Sequence, residues 1–204
     1  MSDIAYPTLS RETVQALRWR VIAPSQSHRS PFDGSLQTGA TQGPRWGASL
    51  SLRRMEEADI AEMQAFAVKL RGQANRALLY NFVRSVPRGT ITTSGVTVNG
   101  ALALGATQLT LASCGNTKTL LTGDFLGVGG QLLMVVDGPY TSDGAGAMAN
   151  VVFEHPLRAA VSSGAAVTLT KPTCRMVLTS SEIEWSTVAP VISEIGFEFE
   201  EAMA

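Results

Sequence analysis

The sequence predicts a mainly β protein with one amphipathic helix: a β-sandwich or split-barrel domain into which a small β-barrel is inserted. Three observations carry this expectation. Segments near both ends alternate apolar and polar residues at the period of a strand. Only one stretch has a helical period. The middle of the chain is poor in charge, rich in Gly, Ala, Thr, Val and Leu, and punctuated by turn dipeptides.

Near the N-terminus, Leu17-Arg18-Trp19-Arg20-Val21-Ile22 alternates and stops at Pro24. Trp46, Ala48, Leu50 and Leu52 then fall on one face of a second strand. Between them, Ser25 to Arg45 reads as a long polar loop with few apolar anchors, the kind of connection that is functional or flexible. Inside it, Ser30-Pro31-Phe32-Asp33-Gly34 is a turn signal around an aromatic residue.

The helix is expected over residues 55–71. Ile60, Met63, Ala67 and Leu70 recur at helical spacing, and Phe66 widens the stripe. Glu56, Glu57 and Asp59 near its start and Lys69 and Arg71 near its end suit the helix dipole, with Gly72 as the left-handed cap.

Beyond Pro87 the texture changes. Short strands are expected at Val96–Val98, Gln108–Leu111, Phe125–Val128, Leu132–Val136, Val151–Phe153 and Val167–Leu169, separated by Asn99-Gly100, Gly123-Asp124, Gly129-Gly130, Asp137-Gly138 and Asp143-Gly144. Such spacing suits a small barrel or sandwich. Arg175–Leu178 and the alternating Ile195–Glu200 return to the earlier style. The expected layout is therefore residues 90–172 inserted into a domain made of 1–88 and 173–204.

Composition narrows function. Of 204 residues, 45% are hydrophobic and only 16% charged, against about 25% in typical soluble domains. Part of the surface is therefore expected to be covered by partners. The net charge of −1 offers no basic excess for phosphate, so specific nucleic-acid binding is not expected. The two cysteines, Cys114 and Cys174, have no metal-ligand spacing and read as packed thiols. The opening MSDIAYPTLSRE lacks the apolar run of a signal peptide, and no stretch has a membrane-spanning length.

Chemistry-bearing patterns are sparse. His28 lies in the polar loop and His155 ends a strand before Pro156, neither in a metal motif. There is no GxSxG elbow. Gly127-Val128-Gly129-Gly130 lacks the Lys-Ser/Thr and the helix of a phosphate loop, so its glycines are read as a tight turn. Asp137, Asp143 and Asn150 are too dispersed for calcium. No catalytic residue, cofactor or metal is expected, and the chain is read as non-enzymatic. Trp19, Trp46 and Trp185 are read as buried core indoles of the first domain. Glu198 and Glu200 fall on the face of their strand opposite Phe197 and Phe199, as a solvated side or a charged interface between subunits.

Ser30-Pro31-Phe32-Asp33-Gly34-Ser35-Leu36-Gln37 resembles the SPFTGxxQ segment of a group of bacteriophage tail proteins, with Asp33 in place of the usual Thr. As in that group, a Trp-bearing strand follows (Arg45–Leu50), then a Glu- and Ala-rich helix closed by Leu70-Arg71-Gly72, then Pro87-Arg88-Gly89. Val98–Ala101, Gly105–Leu109, Leu121–Phe125 and Pro156-Leu157-Arg158 with Gly164 and Val167 are similar to a companion pattern. The resemblance spans nearly the whole chain.

It implies a distal-tail or baseplate-type structural protein of the virion, assembled in the host cytoplasm. Such a protein forms a ring, commonly a hexamer, that links the tail tube to hub and fibre or adaptor proteins. Candidate interface residues are Ser30, Pro31, Phe32, Gly34, Gln37, Glu198 and Glu200, with the Ser25–Arg45 loop and the N-terminal arm as the segments that reach a neighbour. The alternative is a carbohydrate-binding module of a tail tip that recognises host glycans, for which residues 91–172 offer Phe125, Tyr140 and Phe153.

Overall fold

The computed structural model describes residues 1–9, 14–40, 43–53, 55–188 and 192–203; parts of the expected N-terminal arm (10–13) and of the expected loop (41–42) lie outside them. The protein is mainly β, with 43% strand, 7% helix and, among the described residues, one helix. In chain order the elements are β1 (Asp3–Ala5), β2 (Val14–Ile22), β3 (Ser25–Arg29), β4 (Leu36–Ala40), β5 (Arg45–Arg53), α1 (Glu57–Leu70) and β6 (Arg76–Tyr80). There follow β7 (Thr97–Val98), β8 (Gln108–Ala112), β9 (Thr119–Leu120), β10 (Phe125–Val128), β11 (Gln131–Val135), β12 (Tyr140–Thr141), β13 (Met148–Glu154) and β14 (Val167–Thr168). The chain ends with β15 (Thr173–Leu178), β16 (Trp185–Val188) and β17 (Ile192–Glu201).

Two compact units divide the chain. One holds residues 1–6 and 76–175, the other 7–75 and 176–203. Residues 76–88 thus group with the middle segment, where the sequence reading assigns them to the flanking domain. The physical reason lies in Pro87-Arg88-Gly89. Asp124, whose side chain is 1% exposed, accepts the Arg88 backbone N–H at 2.9 Å, while Arg84 and the Arg88 guanidinium donate to the Gly123 and Thr122 carbonyls. Gly89 passes so close to the Thr119 carbonyl that a β-carbon there would lie 2.1 Å from its oxygen.

In the unit containing the middle segment, β14-β10-β11-β13-β8-β7 form a six-stranded sheet that curls nearly closed. Closure runs through Thr97 bridged to Ala166, with Val98 donating to the Ala165 carbonyl and Val167 to that of Val96. The interior is apolar: Leu109, Leu111, Leu126, Leu133, Val151 and Phe153 are all fully buried. Gly129 and Gly130, at φ +58° and +80°, make the turn from β10 to β11, as glycine readily does and other residues do not. In the same unit the first residues of the N-terminal arm pair with a strand. β1 lies parallel to β6, and Asp3 accepts from Arg175 at 3.0 Å while forming an ion pair with the Arg76 Nε, also 3.0 Å away.

In the other unit β17 is central, antiparallel to β5 on one side and to β16 and the end of β15 on the other, with β2 completing the sheet beyond β5. Strict alternation buries Trp46, Ala48, Leu50 and Leu52 of β5 and Ile195, Phe197 and Phe199 of β17 on one face. Helix α1 covers that face, with Phe66 edge-on to Phe197 at 6.0 Å. Its buried stripe is Asp59, Met63, Phe66, Ala67 and Leu70, while Ile60 is only half-buried. The left-handed C-terminal turn begins at Arg71 (φ 50°), one residue before the expected Gly72, which is also left-handed. Asn75 relieves the helix end by donating its side-chain amide to the Lys69 carbonyl at 2.8 Å.

Candidate interface: an exposed hairpin and a charged sheet face

The segment expected as a loop is a hairpin. β3 and β4 pair over five residues, from Ser25 opposite Ala40 to Arg29 opposite Leu36. No strand of it buries a face, which removes the apolar alternation that would mark it in sequence. At five pairs it extends about 17 Å at the rise of a strand. At its tip Ser30 donates its N–H to the Ser35 carbonyl and accepts from Gly34, closing the turn. Asp33 accepts from the Ser35 backbone N–H at 3.0 Å and from the Ser35 hydroxyl at 2.8 Å. Hydrogen bonds from Ser30 first, then Ser35, hold the Asp33 carboxyl down at about 2. Asp33 thus makes the side-chain-to-backbone turn that its position demands. Gly34 sits at φ +72°.

Phe32 stands at this tip, 98% exposed. Leu36 beside it is also exposed, and Gln37 faces His28 across the hairpin. Ser30, Pro31, Phe32, Gly34 and Gln37 are therefore gathered at one end of the hairpin.

Glu198 and Glu200 are placed elsewhere, on the solvent face of the sheet. Glu198 takes Arg20 at 2.9 Å and Glu200 takes Arg45 at 3.1 Å; Glu194 lies 3.8 Å from Arg53. The Ser49 hydroxyl directly across the strand pair, and then Arg20, hold the Glu198 carboxyl below its ordinary range. These three pairs form a charged ladder. Its basic half, Arg20, Arg45 and Arg53, lies on strands far from β17 in the chain, so local sequence pattern carries only the alternation of Arg20 with Trp19 and Val21 and not its partner. Glu201 differs from its neighbours: it is buried and accepts the Trp46 N–H at 2.9 Å, finishing the β17–β5 ladder with a side chain.

The three tryptophans are not equivalent. Trp46 is buried and meets Trp19 edge-on at 5.9 Å, but Trp19 is half-buried and Trp185 is 45% exposed. The last two lie on β2 and β16, each of which pairs with one strand among the described residues. In the middle segment Phe125 and Phe153 are buried, and half-buried Tyr140 uses its hydroxyl to accept the Val152 N–H.

Among the described residues no group of three His, Cys, Asp or Glu is placed to hold a metal ion. Cys114 and Cys174 are buried and unpaired with each other, and burial pushes the Cys114 thiol up to about 11. His28 is on the exposed hairpin; His155 is buried just past the end of β13. Among the described residues no helix is long and apolar enough to cross a membrane. No protein-family model matches the chain, and a search of curated proteins finds no match either.

Proposed function

We propose that this chain is a non-enzymatic structural subunit of a bacteriophage tail, of the distal-tail or tail-connector type. It assembles with copies of itself into a ring, a hexamer by resemblance, and links the tail tube to hub and fibre or adaptor proteins. One observation carries the reading: an ordered polar hairpin holds an aromatic ring 98% exposed at its tip. Two isolated strands are marginal in water, and an exposed Phe gains stabilisation when it enters a partner's pocket. The hairpin's geometry, five pairs and a hydrogen-bonded turn, suits a finger that inserts into a neighbour. The low charge content supports the same reading, because each ring subunit covers two flanks.

The test is the hydrodynamic state of the purified full chain over a wide concentration range. A discrete closed oligomer is expected by sedimentation velocity and light scattering. A monodisperse monomer at high concentration would sink the reading.

A further inference from the structure

Of the chain's five asparagines, Asn99 is the one followed by glycine. The others are tied or crowded. Asn75 donates its side-chain amide to the Lys69 carbonyl, and Asn81 accepts from the Val83 and Arg84 N–H groups. Asn116 accepts from the Thr117 hydroxyl, and Asn150 precedes the buried, β-branched Val151. Asn99 is exposed, and among the described residues its side chain takes part in no hydrogen bond.

This position lies on the seam that nearly closes the six-stranded sheet. Just before it, Thr97 bridges Ala166, and Gly164 donates to the Val98 carbonyl at 2.8 Å. The Asn99 N–H is itself fixed on the Thr110 carbonyl at 2.8 Å. Gly100 then turns away at φ +93°, and a β-carbon there would meet nothing within 4 Å. The Gly100 nitrogen therefore has no side chain of its own and no neighbour to crowd an approach from Asn99. One contact restrains it: the Gly100 N–H donates to the Ser163 Oγ at 3.1 Å.

We propose that Asn99 is a site of spontaneous covalent modification, deamidation through the Gly100 nitrogen, and that Ser163 is the positioning residue that slows it. The Gly100 nitrogen gives up its proton and attacks the Asn99 Cγ, forming a new N–C bond and a five-membered succinimide. The Cγ–Nδ2 bond breaks, and the side-chain nitrogen leaves as ammonia carrying that proton. Water, the co-reactant, opens the ring. Cleavage at Cγ leaves aspartate, and cleavage at the main-chain carbonyl carbon leaves isoaspartate. The Ser163 oxygen opposes the first step, because it stabilises the N–H form of Gly100 while the attacking species lacks that proton. Either product adds one negative charge to a chain of net charge −1. Isoaspartate also lengthens the main chain by one carbon, pulling apart the Thr110 and Ser163 contacts on either side of the seam. The chemistry needs neither assembly nor a partner, so it does not depend on the tail reading.

The test incubates the native full chain, Ser163→Ala and Ser163→Thr at physiological temperature and mildly basic pH. Peptide mass spectrometry follows the mass gain of deamidation at each asparagine. In the native chain Asn99 is expected to react faster than every other asparagine. Ser163→Ala is expected to react about threefold to tenfold faster at Asn99, the effect of losing one hydrogen bond. Ser163→Thr keeps a hydroxyl and is expected to stay within about twofold of the native rate. Because Ser163 is exposed, the rise in Ser163→Ala is expected at Asn99 alone. A native chain in which Asn99 reacts no faster than the other asparagines overturns the site. A Ser163→Ala rate equal to the native one, or a Ser163→Thr rate equal to that of Ser163→Ala, overturns the role of Ser163. So does a rise shared by all the asparagines, which general unfolding would produce.

Discussion

Arg20 reaches across an intervening strand to Glu198, 2.9 Å away, by passing over the backbone of Gly47. A β-carbon on Gly47 would lie 2.6 Å from the Arg20 Nε and 2.7 Å from its Cγ. Glycine is therefore required here for space, since its backbone conformation is ordinary for a strand. Gly47→Ala is expected to displace Arg20, lose the pair with Glu198 and lower stability by about 1 kcal/mol or less, because exposed ion pairs contribute little. Thermal unfolding checks the stability. A rise of the Glu198 titration midpoint, followed by carboxyl NMR, checks the cause.

That titration also has a pH signature. The folded-state pKa of Glu198 is depressed, so its contribution to stability is present above the ordinary glutamate value and disappears as pH falls through the folded value. Ser49→Ala removes the largest cause and Arg20→Met the next. Both variants are expected to differ most from the native chain near neutral pH and to converge with it in acid. Equal differences at all pH values would contradict this assignment.

Asp33 gives a sharper case. Its carboxyl is exposed yet held down at about 2 instead of 3.8, chiefly by the hydrogen bonds from Ser30 and then Ser35, which outweigh a small desolvation in the other direction. The turn is stabilised by ionised Asp33 above pH 3.8, and that contribution fades as pH falls toward 2. Asp33→Asn is expected to make the amide shifts of Phe32 and Ser35 insensitive to pH over this window. A native Asp33 midpoint near 3.8 would show that the Ser30 and Ser35 bonds are absent in solution.

The parts of the fold that are legible in sequence are those whose side chains divide between core and solvent. Trp46, Ala48, Leu50 and Leu52 announce β5 because one face is buried throughout, and Phe197 and Phe199 do the same for β17. β3 and β4 give no such signal, since both of their faces are wet and only backbone pairing and the Asp33 turn define them. The half-burial of Trp19 and exposure of Trp185 depend on which strands end the sheet, a property of topology that local pattern does not carry. In α1, Met63, Ala67 and Leu70 fall on the expected stripe, but the first turn rotates so that Asp59 faces inward in place of Ile60. The candidate residues split the same way: the turn is readable from Pro31, Asp33 and Gly34, whereas the arginine partners of Glu198 and Glu200 lie 178 and 155 residues away.

Gly89 tests the packing of the Pro87-Arg88-Gly89 turn. A β-carbon at residue 89 meets backbone, 2.1 Å from the Thr119 oxygen and 2.7 Å from its carbonyl carbon, and backbone cannot swing aside as a side-chain tip can. Gly89→Ala is expected to destabilise its unit by about 1–3 kcal/mol or more through overpacking. Unfolding in denaturant measures it, and a native-like midpoint would mean that the two segments are not packed this closely.

Phe32 separates folding from assembly. With 98% of its surface in water it contributes nothing to its own subunit's core, so Phe32→Ser is expected to leave the unfolding midpoint of the isolated chain unchanged within about 0.5 kcal/mol. In an assembled ring the same ring of carbons is buried in a neighbour, and aromatic anchors of that kind cost about 2 kcal/mol or more when truncated. Association of Phe32→Ser is therefore expected to weaken by more than about tenfold, measured by sedimentation against the native chain. Phe66→Ala behaves oppositely, because Phe66 is buried against Phe197: it costs about 3–5 kcal/mol of folding stability regardless of concentration. If Phe32→Ser assembled as the native chain does, the hairpin tip would not be the anchor, and the finger role assigned to residues 25–40 would fall.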